Sequence, residues 1–169
     1  MNRVTLIGFR ACGKSTVGRL VAARLAWPFI DADAATETEL GMPIQRAIPE
    51  LGESAFRDAE TRALAAVLER PGPLVLATGG GVVLRPQNRD HLRRAGGLVV
   101  YLAAPLAVVQ ERLARNAGGR PSLTGLPPAE EAARLLAERE PQYRACADWV
   151  LEPLADPAAT ADLIAARCA

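Results

Sequence analysis

Short apolar runs alternate along this chain with longer stretches in which apolar residues recur at helical spacing. Strands separated by helices form right-handed crossovers, and so predict a parallel sheet covered on both faces. From Lys14 to about Ala26 apolar residues recur every three or four positions, which predicts a helix. The apolar runs that predict strands are Val4–Ile7, Phe29–Asp31, Leu74–Ala77, Leu98–Leu102 and Trp149–Leu151.

Two stretches depart from this alternation. Residues 33–70 contain several helical pieces and no strand, which predicts an insertion beside the sheet, at about 33–62. Residues 116–128 are rich in glycine and proline, which predicts a loop long enough to be a mobile lid, at about 114–127. A helix should begin near Pro128, with acidic residues in its first turn, and end near Pro141. We expect residues 1–169 to form one domain.

Composition excludes several classes of protein. The formal net charge of +1 disfavours a nucleic-acid-binding domain, which is usually strongly basic. No apolar run approaches the roughly 18 residues of a membrane span, so we expect no membrane partner. The N-terminus has no signal-peptide pattern, and the three cysteines have no metal-binding spacing. These features favour a reduced, cytoplasmic location.

The strongest chemical motif is G-x-x-x-x-G-K-[ST], which residues Gly8–Ser15 match at every position. It follows a predicted strand and begins a predicted helix, which is the context of a phosphate loop. In such a loop backbone N–H groups and the helix N-terminus bind phosphate, the lysine follows the β- and γ-phosphates, and the hydroxyl binds Mg²⁺. The sequence therefore predicts a nucleoside triphosphate site.

The rest of the sequence narrows the class of phosphate-loop protein. Lys14 is the chain's single lysine, so the N-K-x-D segment by which GTPases read guanine does not exist here. Motor and AAA ATPases usually end a strand with Asp-Glu, whereas the third predicted strand here ends in Thr78 and three glycines. A small-molecule kinase remains.

Ligands of open α/β sheets bind beyond the carboxyl ends of the strands, so Gly8, Asp31 and Gly79 should converge on one crevice. Asp31 and Asp33 fit a metal ligand and a binder of a substrate hydroxyl, although Asp33 fits a helix N-cap equally well. The triple glycine that begins at Gly79 predicts close backbone approach to a ligand or to the phosphate loop.

Two charged stretches have an ordinary interpretation when taken alone. Residues 53–60 are typical of a solvated helix face on which Arg57 and Glu60 form an i,i+3 pair. Residues 138–140 are typical of the same kind of surface. Neither stretch by itself indicates a function.

Together, however, the motifs resemble those of the shikimate kinases, in the same order over nearly the whole chain. The phosphate loop and the lid are more similar to the type II form than to type I. The matching segments are Gly8–Ser15, Asp31-x-Asp33, Phe56-Arg57-x-x-Glu60, Thr78–Gly81, Val100–Leu102, Arg120-Pro121, and Glu138-Arg139 with Tyr143.

The resemblance implies an α/β fold of three layers, the P-loop kinase fold. Its parallel five-stranded sheet would have the order 2-3-1-4-5, with helices on both faces, a helical substrate-binding insertion and a mobile lid. The implied reaction is Mg-ATP-dependent phosphorylation of the shikimate 3-hydroxyl, which gives shikimate 3-phosphate and ADP. The implied partners are these small molecules alone, and we expect a monomer.

The resemblance also assigns site residues. Arg57 and Arg139 would grip the substrate carboxylate, as guanidinium forks do, and Arg112 would stack on adenine. The implied catalytic residues are Lys14, Asp33 and Arg120, and the implied metal ligands are Ser15 and Asp31. The implied ATP-binding residues are Gly8, Arg10, Ala11, Cys12, Gly13, Lys14, Ser15, Thr16, Arg112 and Arg120. The implied shikimate-binding residues are Asp33, Arg57, Gly79, Gly80, Gly81 and Arg139.

One departure and two alternatives stay open at this point. Ala11 stands where the family usually has glycine, and it strains the loop only if its φ is positive. Another small-molecule kinase of the same fold, such as gluconate kinase, would share the phosphate loop but lack the two-arginine clamp. A non-catalytic nucleotide sensor is the alternative from a different class.

Overall fold

The computed structural model describes residues 2–115 and 124–168, which contain five strands and eight α-helices. The strands are β1 (Arg3–Ile7), β2 (Phe29–Asp31), β3 (Leu74–Ala77), β4 (Leu98–Leu102) and β5 (Trp149–Leu151). The helices are α1 (Lys14–Leu25), α2 (Ala32–Leu40), α3 (Ile44–Leu51), α4 (Glu53–Leu68), α5 (Pro86–Ala95), α6 (Leu106–Arg115), α7 (Pro128–Cys146) and α8 (Pro157–Cys168).

The five strands form one parallel sheet in the order β2-β3-β1-β4-β5, as predicted. The central strand β1 pairs Arg3 with Leu74 of β3 on one side and Val4 with Leu98 of β4 on the other. The side chains of β1, β3 and β4 are buried, which explains why they read as continuous apolar runs rather than as alternating ones.

The strand order places helices on both faces of the sheet. The chain moves in one direction from β1 to β2 and in the opposite direction through β3, β4 and β5. Because parallel crossovers are right-handed, this reversal sends α1 to one face and the later connections to the other. The last helix, α8, packs against α1 and completes its layer.

The connection between β2 and β3 consists of α2, α3 and α4, which extend from Ala32 to Leu68, whereas the predicted helical insertion covered about 33–62. A small apolar cluster of Ile44, Ala47 and Phe56 lies between α3 and α4, apart from the main core. The predicted lid includes residues 116–123, and these, with Arg120, lie outside the described residues. Within the described ranges, none of the helices combines the length and apolar character of a membrane span.

The predicted end of α7 near Pro141 is wrong, because the helix continues to Cys146. Proline inside a helix removes one backbone hydrogen bond and costs about 3 kcal/mol. Packing of the following turn offsets this: Tyr143 is fully buried, and its ring stacks on Tyr101 with 5.0 Å between centroids. Tertiary burial therefore carries the helix past the residue that would otherwise end it.

Candidate active site

The phosphate loop joins the carboxyl end of β1 to the start of α1. Its last glycine, Gly13, has a φ of 102° and forms the N-cap of α1. Gly8 has a φ of 143°, and a Cβ atom there would lie 2.9 Å from the carbonyl oxygen of Leu102. Both positions therefore require glycine, for conformation at Gly13 and for conformation and space at Gly8.

Lys14 is folded over this loop. Its Nζ donates hydrogen bonds to the carbonyl oxygens of Gly8 at 2.9 Å and Phe9 at 2.7 Å, and lies 3.5 Å from Sγ of Cys12. The lysine is buried, and no carboxylate forms a salt bridge with it in the part of the chain the structure describes. A buried ammonium with neutral loop groups as its partners is well suited to an anionic ligand.

Ala11 has a φ of 62°, in the left-handed region. The condition under which alanine strains the loop is therefore met, at a penalty of roughly 1–2 kcal/mol. Its carbonyl oxygen accepts a hydrogen bond of 3.1 Å from Nη1 of Arg112, which ties α6 to the loop.

A cavity of about 310 Å³ lies at the carboxyl ends of β1, β2 and β3, and it is lined by near neighbours of Gly8, Asp31 and Gly79 rather than by those three residues. It brings residues of the phosphate loop next to the ends of β2 and β3. Its lining residues are Arg10, Ala11, Gly13, Lys14, Ser15, Thr16, Asp33, Thr78 and Gly80.

The N-cap of α2 is Asp31, not Asp33 as the sequence also allowed. The Asp31 Oδ1 accepts a hydrogen bond of 3.0 Å from the backbone N–H of Asp33. The helix begins directly at Ala32, so the last residue of β2 serves as the cap and Asp33 falls in the first turn. The two carboxylates therefore have different surroundings.

The other oxygen of Asp31, Oδ2, accepts a hydrogen bond of 2.7 Å from the Ser15 hydroxyl. A hydroxyl and a carboxylate in contact beside a phosphate loop are hard oxygen ligands, as Mg²⁺ prefers. Among the described residues no group of three or more His, Cys, Asp or Glu side chains could hold a metal. This donor set fits Mg²⁺, which usually takes one or two protein ligands together with phosphate and water.

A second cavity, of about 360 Å³, lies on the other side of the loop, against α6 and α8. Arg112 contributes its guanidinium, and the segment between β5 and α8 contributes apolar and proline residues. Its lining residues are Ala11, Cys12, Gly13, Thr16, Val17, Arg112, Pro153, Leu154, Pro157 and Thr160. Between them, the two cavities are lined by all the predicted ATP-binding residues of the described chain except Gly8.

The triple glycine after β3 is packed too closely for side chains, as predicted. A Cβ atom at Gly80 would lie 3.1 Å from the backbone nitrogen of Arg10 in the phosphate loop. At Gly79 it would lie 2.8 Å from Oδ1 of Asp33 and 2.9 Å from Oε1 of Glu60. At Gly81 it would lie 2.2 Å from Nη1 of Arg57.

The interpretation of residues 53–60 as a solvated helix face is wrong for the two residues that matter. Arg57 and Glu60 form the predicted i,i+3 ion pair at 2.8 Å, but they are only 8% and 4% exposed. Helix α4 turns this pair inward, toward Gly79 and Gly81, and places Glu53 on the exposed side of Arg57.

Arg139 is likewise buried rather than solvated, at 7% exposure. Its Nη1 donates a long hydrogen bond of 3.4 Å to the carbonyl oxygen of Gly80, which also accepts a hydrogen bond from the Tyr143 hydroxyl. Burial lowers the pKa of Arg139, the neighbouring Tyr143 opposes that shift, and the positive charge of Arg57 adds to it. Both guanidiniums lie against the triple glycine, that of Arg139 at Gly80 and that of Arg57 at Gly81.

Arg57 and Arg139 differ in how their charges are balanced. Arg57 has Glu60, whereas Arg139 has no carboxylate within salt-bridge distance in residues 2–115 and 124–168. A buried guanidinium without a counterion is costly unless an anion binds beside it.

Sequence reasoning gave no role to several residues that shape this site. The quoted motifs include Glu60, Tyr143 and Thr78, but none of the three received a binding or catalytic role. Glu131 is one of the acidic residues expected in the first turn of α7, and it received no role either. All four side chains are buried at the site. The local sequence pattern does not show that a polar or charged side chain will be buried. The lining of the second cavity by residues 153–160 was also missed, because no motif falls there.

A family model described as shikimate kinase matches residues 10–168 of this chain. A shikimate kinase from Nitratidesulfovibrio vulgaris is 52% identical over 153 residues, which cover 88% of this chain and 85% of the relative. Among solved structures, the shikimate kinase from Acinetobacter baumannii in complex with shikimate superposes with a TM-score of 0.90 at 34% identity, over 97% and 90% of the two chains.

A gluconokinase from Sinorhizobium meliloti is a more distant structural neighbour. It covers 99% of this chain with a TM-score of 0.60 but only 20% identity, so it shares the fold and carries no argument about substrate.

Proposed function

Because this chain belongs to the shikimate kinase family and is an ATP-dependent kinase, we propose how its own residues carry out the reaction. The 360 Å³ cavity beside Arg112 takes the adenine nucleoside, and the 310 Å³ cavity takes the phosphates. Shikimate lies against Gly79–Gly81, with its carboxylate between Arg57 and Arg139. Gluconate kinase is disfavoured because the matching family model and the similar relatives are shikimate kinases.

The observation that carries this proposal is the uncompensated charge of Arg139. It is buried, its guanidinium and that of Arg57 lie against adjacent glycines, Gly80 and Gly81, and one anionic group between them would supply the missing counterion. A planar carboxylate matches guanidinium forks and can accept bonds from both. Because the two arginines lie beside the triple glycine and Asp33 approaches Gly79, a carboxylate bound by the arginines would direct the ring of the substrate toward Asp33.

The chemical step is transfer of the γ-phosphoryl group to the 3-hydroxyl of shikimate. The new bond joins that oxygen to phosphorus, the bond to the β-phosphate oxygen breaks, and the hydroxyl proton passes to Asp33. Lys14 balances charge on the transferring group. Ser15 and Asp31 would hold Mg²⁺, which neutralises phosphate charge when it is bound.

Three further parts of the proposal rest on sequence. Arg120, in the predicted lid, would add positive charge at the phosphoryl group when the lid closes, and closure would exclude water. We also propose a monomeric, cytoplasmic enzyme. The three thiols are free, as a reducing compartment requires, and size-exclusion chromatography tests the oligomeric state.

The proposal is tested by coupled ADP release with Mg-ATP and a panel of acceptors. Shikimate should be turned over, and gluconate and nucleoside monophosphates should not; equal turnover of gluconate would contradict the substrate assignment. Arg139→Met should raise the KM for shikimate at least about tenfold, because a hydrogen bond to a charged group contributes roughly 1.5–3 kcal/mol. The KM for ATP should be unchanged.

Arg144→Met is the matched control, because Arg144 lies on the same helix but is exposed and pairs with Glu140. Its kinetics should equal those of the parent chain. If Arg139→Met left the KM for shikimate unchanged, or raised that for ATP equally, the clamp would be wrong.

A further inference from the structure

Glu131, near the start of α7, is a carboxylate with only 1% of its surface exposed. Its Oε2 accepts an ion-paired hydrogen bond from Nη2 of Arg10. Its Oε1 accepts hydrogen bonds of 2.9 Å from both the backbone N–H and the hydroxyl of Thr124. One buried side chain thus connects the phosphate loop to the segment that leads into α7.

Arg10, the ion-pair partner of Glu131, lies at the cavity that we assign to the phosphates. Arg10 lines the 310 Å³ cavity with Lys14 and Ser15, and its side chain is 21% exposed. Its guanidinium carbon is 5.8 Å from the centre of the Phe9 ring. A long arginine side chain has many rotamers, and an ion pair with a buried acid selects among them.

Burial makes Glu131 expensive to retain, which argues against a role as surface charge. A buried carboxylate is tolerated only when it is paired and hydrogen-bonded, and replacing such a pair by apolar residues is often neutral or stabilising. Glu131 meets this requirement through two different parts of the chain at once. This arrangement indicates that Glu131 serves to fix the position of Arg10 at the phosphate cavity rather than to stabilise the fold.

We propose that Glu131 is a positioning residue for phosphoryl transfer, which holds the guanidinium of Arg10 at the wall of the phosphate cavity. This rests on the proposed assignment of that cavity to the triphosphate. The benefit is that a cationic donor set is oriented before ATP binds, so that no reorganisation is needed during the reaction.

The substitution Glu131→Gln tests the proposal because it separates the two contacts. The amide oxygen can still accept the bonds from Thr124, but the amide NH₂ then faces the N–H donors of Arg10, and two donors cannot bond. Arg10 should leave its position, and kcat/KM for ATP should fall roughly tenfold or more. The KM for shikimate should be unchanged.

Three controls make the result specific. Glu130→Gln makes the same chemical change one residue away, at an exposed position, and should have parent kinetics. In an Arg10→Met background, Glu131→Gln should cause no further loss, because the residue through which it acts is gone. Thermal unfolding of each variant shows whether the protein assayed is folded.

The proposal is overturned if folded Glu131→Gln has the kinetics of the parent, or if it causes the same loss with and without Arg10. Should Glu131→Gln fail to fold, Arg10→Met alone decides the matter: it must lower kcat/KM for ATP by a comparable factor. Shikimate-dependent ADP release by the parent chain tests the proposed function separately. A failure of the proposed function can therefore be distinguished from a failure of the proposed role of Glu131.

Discussion

Gly81→Ala is the sharpest steric test of the proposed clamp. Gly81 has φ −100° and ψ 2°, a conformation that alanine can adopt, so the substitution introduces no left-handed strain. The added methyl carbon would lie 2.2 Å from Nη1, 2.5 Å from Cζ and 2.6 Å from Nη2 of Arg57. The whole guanidinium must therefore retreat by roughly 1 Å to reach an ordinary contact distance of about 3.5 Å.

Retreat of Arg57 should weaken shikimate binding much more than nucleotide binding. A misplacement of about 1 Å at a positioning group can cost about 100-fold in rate, and a hydrogen bond to a charged group contributes roughly 1.5–3 kcal/mol. We expect kcat/KM for shikimate to fall between about 10- and 100-fold. The dissociation constant of ATP, measured by calorimetry, should stay within error.

A double-mutant cycle with Arg57→Met identifies the cause. If the alanine acts by displacing the guanidinium, Gly81→Ala should have little effect once the guanidinium has been removed. Equal losses in both backgrounds would refute the reasoning and would indicate that the backbone of the triple glycine itself has moved. Parent-like kinetics of Gly81→Ala would refute it as well.

Two other predictions concern the loop and the tyrosines. Ala11→Gly should raise the free energy of unfolding by about 0.5–1 kcal/mol. The substitution relieves roughly 1–2 kcal/mol of left-handed backbone strain, which exceeds the roughly 0.4–1 kcal/mol that glycine costs through the entropy of the unfolded state. Urea denaturation measures the change, and a loss of stability would contradict the prediction. Burial raises the pKa of Tyr101 to about 12 and that of Tyr143 further still. Their folded pKa values exceed the unfolded value of about 10, so their contribution to stability is complete below pH 10. It is lost as the pH rises above 10, by up to about 1.4 kcal/mol per pH unit for each tyrosine. Tyrosinate absorbance should then appear only with unfolding, and its appearance in folded protein near pH 10 would refute the prediction, since these are the chain's only two tyrosines.

The features that could be predicted from sequence are those with a local cause. The strands Leu74–Ala77 and Leu98–Leu102 have the bounds predicted, because parallel strands buried on both faces are short apolar runs. The phosphate loop was predictable because its glycines and lysine have fixed spacing. The order of the strands, in contrast, came from the family resemblance, since no local pattern specifies which strands become neighbours.

The errors at Pro141 and at residues 53–60 have a non-local cause. Pro141 was predicted to end α7, but the stacking of Tyr143 on Tyr101, distant in sequence, holds the helix together. Asp31 rather than Asp33 caps α2, because the helix begins immediately after the strand and leaves no residue between them. Arg57 and Glu60 looked solvated because charge alone does not reveal which side of a helix faces the sheet.

The unequal charge balance of Arg57 and Arg139 predicts that this clamp selects an anion and that it lowers the stability of the protein without substrate. Arg57 pairs with Glu60 and Glu53, whereas buried Arg139 has no carboxylate within salt-bridge distance among the described residues, so a substrate carboxylate can match its charge. In the free protein that charge is desolvated without a counterion, which is unfavourable. Arg139→Met, which keeps most of the apolar stem, should therefore raise the melting temperature of the free protein while it lowers affinity for shikimate. A role for Arg139 in the fold alone predicts the opposite sign for stability, so one variant and two measurements distinguish the binding role from the structural one.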